Sequence, residues 1–166
     1  MGIREERTGS SEDGIRPGVD LPCSGGCRAR LLEAVIAAMA VAAQADGRIH
    51  PAERMAVQSV LRRTGLVAEG GAGEALAAFA ECVAALQQRR VLPAQLLARR
   101  MNFLAGGPWS GLVAEAAEEV AGADGALSPA EEGAMEGIRR AAGLLSMIPP
   151  RPLPGRPELQ GHRPGG

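Results

Sequence analysis

Apolar residues recur at helical spacing in successive stretches of this chain, and Gly- or Pro-rich breaks separate them. Arg28 to Ala45 is apolar nearly all round, which predicts a central, buried helix. Pro51 to Thr64 reads as a second helix, with Met55, Val57, Val60 and Leu61 as inward candidates. The Gly-rich stretch from Val67 to Gly73 reads as a loop. Glu74 to Arg90 carries Leu76, Phe79, Val83 and Leu86 at helical spacing. Pro93 opens a fourth helix to about Leu104, with Leu96, Leu97, Met101 and Phe103, and Gly106-Gly107-Pro108 breaks it. Trp109 to Ala123 and Pro129 to Ala142 complete the set. The expected fold is therefore all-α, with a helical domain over residues 28–147 whose first and fifth helices pack together at its centre. Residues 1–27 are polar and aperiodic and read as a disordered arm. Residues 148–166 are rich in Pro, Gly and Arg and read as a tail able to form polyproline II segments.

One stretch occurs twice. Ala45-Asp46-Gly47-Arg48-Ile49-His50-Pro51-Ala52-Glu53 returns 78 residues later as Ala123-Asp124-Gly125-Ala126-Leu127-Ser128-Pro129-Ala130-Glu131. The likeness runs on through Gly65 and Gly143. Two similar supersecondary units follow, expected to be related by a pseudo-two-fold axis, with two helices between them. Gly47 and Gly125 sit where a helix-ending glycine takes positive φ. Pro51 and Pro129 fit the first position of a new helix. Ser128 and Glu131 make a capping box, and Glu53 holds the matching place after His50. Ile49 and Leu127 stand where a hydrophobic staple would pin each turn.

Asp46, Glu53, Asp124 and Glu131 are the residues that could carry chemistry. An EF-hand register would put Ala42 and Gln44, or Val120 and Gly122, at ligand positions, so that motif is rejected. Two readings stay open. Each carboxylate serves its own turn or helix cap, or the four converge on a divalent cation or a basic partner.

Asp-Gly-x-Ile/Leu-x-x-x-Glu, twice, each copy after an alanine-rich helix and each followed by a helix ending near Gly-Leu, resembles the TerB tellurite-resistance family over about Arg28 to Leu145. The resemblance implies a non-enzymatic, cytosolic helical protein of tellurite and chemical-stress resistance. It also implies work alongside other Ter-type stress proteins, some of them membrane-bound. A general protein-interaction domain of the same fold, without a tellurite role, is the alternative. A metal-dependent enzyme using the acidic turns is the third reading.

Composition narrows these. The 166 residues include three aromatics, Phe79, Phe103 and Trp109, so Ala, Leu, Val, Ile and Met must build the core. A net charge of −1 leaves no nucleic-acid footprint, and Arg62-Arg63, Arg89-Arg90 and Arg99-Arg100 read as solvated helix ends and faces. Cys23 and Cys27 could oxidise or share a metal, while Cys82 reads as core. His50 and His162 stand in no Ser/His/Asp or Cys/His arrangement, and the reading is no enzyme. No secretory signal opens the chain, and Ala34 to Ala43 is too short to span a bilayer. The expectation is a cytoplasmic protein without direct membrane insertion, any membrane link being made through a partner.

Overall fold

The structure is a computed structural model and describes residues 25–145. The arm, apart from Gly25, Gly26 and Cys27, and the tail lie outside the described residues, as does Cys23. Six helices follow one another: α1 (Gly25–Ala43), α2 (Pro51–Arg63), α3 (Ala72–Gln87), α4 (Pro93–Met101), α5 (Ser110–Ala121) and α6 (Pro129–Ala141). The described residues contain no strand, and no helix among them is long and apolar enough to cross a membrane.

α1 is the axle. Every residue from Ala34 to Ala43 is buried, which requires neighbours on all faces. α5 covers it most extensively, and α3, α4 and α6 close the remaining sides. The reason lies in the side chains. Ala34, Ala37, Ala38, Ala40, Ala42 and Ala43 keep α1 thin, and Ala116, Ala117 and Ala121 do the same for α5. Leu31, Val35, Met39, Val113 and Val120 fill the space between. Ala38, fully buried, has no room to grow. Ala38→Leu should therefore overpack the centre and cost about 1–3 kcal/mol in a urea titration. An unchanged midpoint would show a looser centre than this.

The outer helices bury one stripe each. On α2 that stripe is Glu53, Val57, Val60 and Leu61, at i, i+4, i+7 and i+8. On α6 it is Glu131, Met135 and Ile138, at i, i+4 and i+7. Met55 was expected to face inward, but it is 71% exposed. At ~100° per residue it points about 200° away from Val57, onto the opposite face.

α3 stops at Gln87, short of the expected Arg90. Arg89 adopts φ 54°, and the Arg90 N–H reaches back to the Ala85 carbonyl at 2.9 Å. This is a Schellman end with arginine where glycine usually stands. α6 ends the same way on Gly143 (φ 79°), with Leu144 N–H bonded to Arg139 O at 2.9 Å. There the chain meets the α4–α5 connection backbone to backbone. Gly106 N–H and the buried Ser110 hydroxyl both donate to the Ala142 carbonyl, at 2.8 and 2.7 Å. That carbonyl is one of the group a helix C-terminus otherwise leaves unpaired.

Candidate functional site

The two Asp-Gly turns and the helix starts that follow them form the site. α1 and α5 end at Ala43 and Ala121, two residues before the expected Ala45 and Ala123. Tight turns follow, with Gly47 N–H on Gln44 O and Gly125 N–H on Gly122 O. Gly47 and Gly125 take φ 84° and 137°, and only glycine adopts these without strain. Asp46 and Asp124 thus lie in the turns, beyond the last residues of the helices. Ile49 and Leu127 are half-buried against the core and anchor the turns.

Each new helix then starts on proline with its N-cap in extended backbone. The Ser128 N–H donates to Glu131 Oε2 at 2.6 Å, and the Glu131 N–H donates to Ser128 Oγ at 3.3 Å, a reciprocal capping box. His50 N–H donates to Glu53 Oε2 at 2.6 Å. The His50 ring offers no return bond, so α2 has half of that box. α4 repeats the half-box with Leu92 N–H on Gln95 Oε1 at 3.3 Å. Pro-Ala-Glu/Gln therefore stands at three helix starts, residues 51–53, 93–95 and 129–131. The copy at residues 93–95 was legible in the sequence as a recurring tripeptide, but only its Pro93 was read as a helix start.

Glu53 and Glu131 are 1% and 4% exposed. Burial pushes the Glu53 carboxyl above its ordinary range. The His50 N–H bond opposes this, the Asp46 charge adds to it, the His50 ring opposes it, and the Glu131 charge adds to it. The Glu131 charge is thus near enough to be felt at Glu53, and both side chains are almost wholly covered. Their burial also had a signal, since each lies four residues before an inward residue, Val57 or Met135.

The aspartates differ. Asp46 Oδ1 accepts the Arg48 N–H at 2.8 Å, closing its own turn. Its Oδ2 lies 3.7 Å from His50 Nε2, and Asp124 Oδ2 lies 3.8 Å from the same nitrogen. His50 thus stands between the two turns, a role that its sequence position did not disclose. The fold brings the four predicted acidic residues to one end of the molecule in two layers. Glu53 and Glu131 are inside, holding helix starts. Asp46 and Asp124 are outside, partly exposed, with oxygens facing solvent and an imidazole between them. Among the described residues, no group of three or more His, Cys, Asp or Glu side chains is placed to hold a metal ion. Such an outer layer can accept hydrogen bonds or cationic side chains from outside.

Neither a curated protein nor a solved structure matches the chain. A family model does, described as "Tellurite resistance protein TerB", and its match runs over residues 32–149, from the first buried turn of α1 past the end of α6. With both Asp-Gly turns, their capped helices and the all-helical core inside that span, the chain belongs to the TerB family.

Proposed function

We propose that this protein is a non-enzymatic, cytoplasmic TerB-family module of tellurite and chemical-stress resistance that acts by docking a partner on its outer aspartates. One observation carries the reading: His50 Nε2 stands 3.7 and 3.8 Å from Asp46 and Asp124, so two turns 78 residues apart present one acidic surface. The glutamates behind it are buried on backbone N–H groups, whereas both aspartate side chains stay about one-third exposed, which makes the aspartates the carboxylates open to an outside ligand. The partners that fit are cationic surfaces, expected among other Ter-type proteins, including membrane-bound ones. A divalent cation held by the aspartates is the competing occupant.

The test is Asp46→Asn with Asp124→Asn, in a strain whose tellurite resistance depends on this protein. Resistance should fall, while the melting temperature of the purified protein stays within a few degrees. Full resistance from the double variant would defeat the proposal. Calorimetry with calcium, magnesium and manganese at low salt separates the occupants. Heat that vanishes in the double variant would make the turns a cation site instead of a partner site.

A further inference from the structure

A second surface starts at Ile49, beneath the first Asp-Gly turn, and runs from there between α2 and α3. α3 rests chiefly on α1 and touches α2 sparingly, so the wedge between α2 and α3 stays open. Its main hollow measures about 440 Å³, with Ile49, Val57, Leu76, Phe79 and Val83 among its lining residues. Past Gln58 and Leu76 it continues into a smaller hollow of about 240 Å³ that reaches Leu61 and Val67. Together they make an elongated groove along the molecule's side, with an apolar floor and a polar rim of Arg54, Gln58, Arg62 and Gln87.

Its charge is one-sided. The chain as a whole carries 19 acidic and 18 basic residues, yet among the described residues no Asp or Glu lines either hollow or the shallow depression beside them around Met55. Arginines do. Arg54, Gln58 and Arg62 follow one another at four-residue spacing on α2, forming a single polar row along the groove's lip. At 1.5 Å per residue the two arginines sit roughly 12 Å apart along the helix. Arg63, Arg100, Arg139 and Arg140 each have a carboxylate partner, namely Glu119, Glu33, Glu118 and Glu136. Arg54 and Arg62, like Arg99, have none among the described residues, and unlike Arg99 they stand together on the groove. Met55 lies beyond that row, in the shallow depression next to Arg62, and is one of two exposed large hydrophobic residues among those described, the other being Leu92. Met and Arg beside an apolar floor are the residue types enriched where proteins meet.

We propose that the α2–α3 groove docks an amphipathic helix of a partner protein that carries carboxylates about two turns apart. The helix would lay apolar anchors at i, i+3 or i+4 and i+7 onto Leu76, Phe79 and Val83, the usual helix-in-groove pattern. Its carboxylates would face Arg54 and Arg62, whose planar guanidinium groups suit bidentate contact. This surface includes neither aspartate, although Ile49 brings its upper end to the Asp46 turn, and its partner has the opposite charge preference.

The test is a selection of displayed helical peptides about two to three turns longer than the anchor span, on the full chain, followed by fluorescence anisotropy of the enriched peptides. The enriched sequences should share the apolar spacing and carry Asp or Glu two turns apart. Binding should weaken at least about tenfold in R54E/R62E, the scale expected when charge pairs at an interface are reversed. It should also weaken in Ala80→Arg, which fills the groove from its exposed edge. Arg99→Glu, an exposed site on α4 with no ion pair among the described residues, should leave it unchanged. Melting curves of the three variants should overlay the parent. Enrichment of basic or uncharged peptides, equal binding by R54E/R62E, or no enrichment at all would overturn the proposal. So would sedimentation showing a dimer of the chain that R54E/R62E dissolves, because a second copy would then be the occupant.

Discussion

Gly143→Ala should destabilise the fold by about 2–5 kcal/mol, although its counterpart in the repeat, Gly65→Ala, should cost only about 1–2 kcal/mol. Both glycines have positive φ, 79° and 61°, so alanine is strained at either. The difference is space. A Cβ on Gly65 meets nothing within 4 Å. A Cβ on Gly143 would run into the Gly106 nitrogen and lie 2.9 Å from the Ala105 carbonyl carbon, and these are backbone atoms that no rotamer change can move. The α4–α5 connection would have to shift, and with it the Gly106 N–H and Ser110 hydroxyl bonds to the Ala142 carbonyl. For a domain of this size each kcal/mol lowers the melting temperature by ~2–4 °C, so Gly143→Ala should melt roughly 4–20 °C lower. Equal shifts for the two variants would mean that the α6 end gives way more easily than its close packing implies.

That pair also shows where sequence reasoning stops. The repeat pointed to Gly65 and Gly143 as equivalent helix-ending glycines, and backbone chemistry predicts the positive φ of both. Nothing local predicts that one of them abuts Gly106, 37 residues away. The same division runs through the rest of the molecule. The central place of α1 was legible because its apolar residues cover every face, and such a helix is stable only when surrounded. The Asp-Gly turns and proline starts were legible because their chemistry is confined to a few neighbouring residues. The burial of Glu53 and Glu131 was encoded in the stripe but obscured by residue type, since an isolated glutamate is rarely buried. His50 between Asp46 and Asp124, and the wedge beside α2, depend on how helices sit relative to one another, which periodicity does not encode. Arg89 ending α3 at positive φ had no signal in residue type at all.

At neutral pH, Glu53→Gln should leave the melting temperature unchanged or raised, whereas Glu53→Ala should cost about 1–3 kcal/mol by leaving the His50 N–H without its acceptor. Glutamine keeps an oxygen for that N–H and sheds a charge that burial disfavours. Glu131→Gln should likewise hold most of its stability, because the Ser128 cap accepts either side chain as its partner. The pH dependence separates a charge effect from a packing effect. The raised pKa means that folded Glu53 keeps its proton at pH values where the unfolded chain has lost it. Protonation therefore favours the fold. That contribution is complete below the ordinary glutamate value of 4.5 and disappears as pH rises through the folded-state pKa above it. The wild type should thus lose ground to Glu53→Gln across this window, and the gap between their melting temperatures should widen from acid to neutral pH. Asp46, Glu131 and the His50 ring also face this carboxyl, so the comparison is best repeated in the Asp46→Asn background, where one repelling charge is gone and the widening should be smaller. A gap that is the same at both ends of the window would mean that the Glu53 carboxylate is as well solvated in the folded protein as in the unfolded chain, against its near-complete burial beneath the two turns.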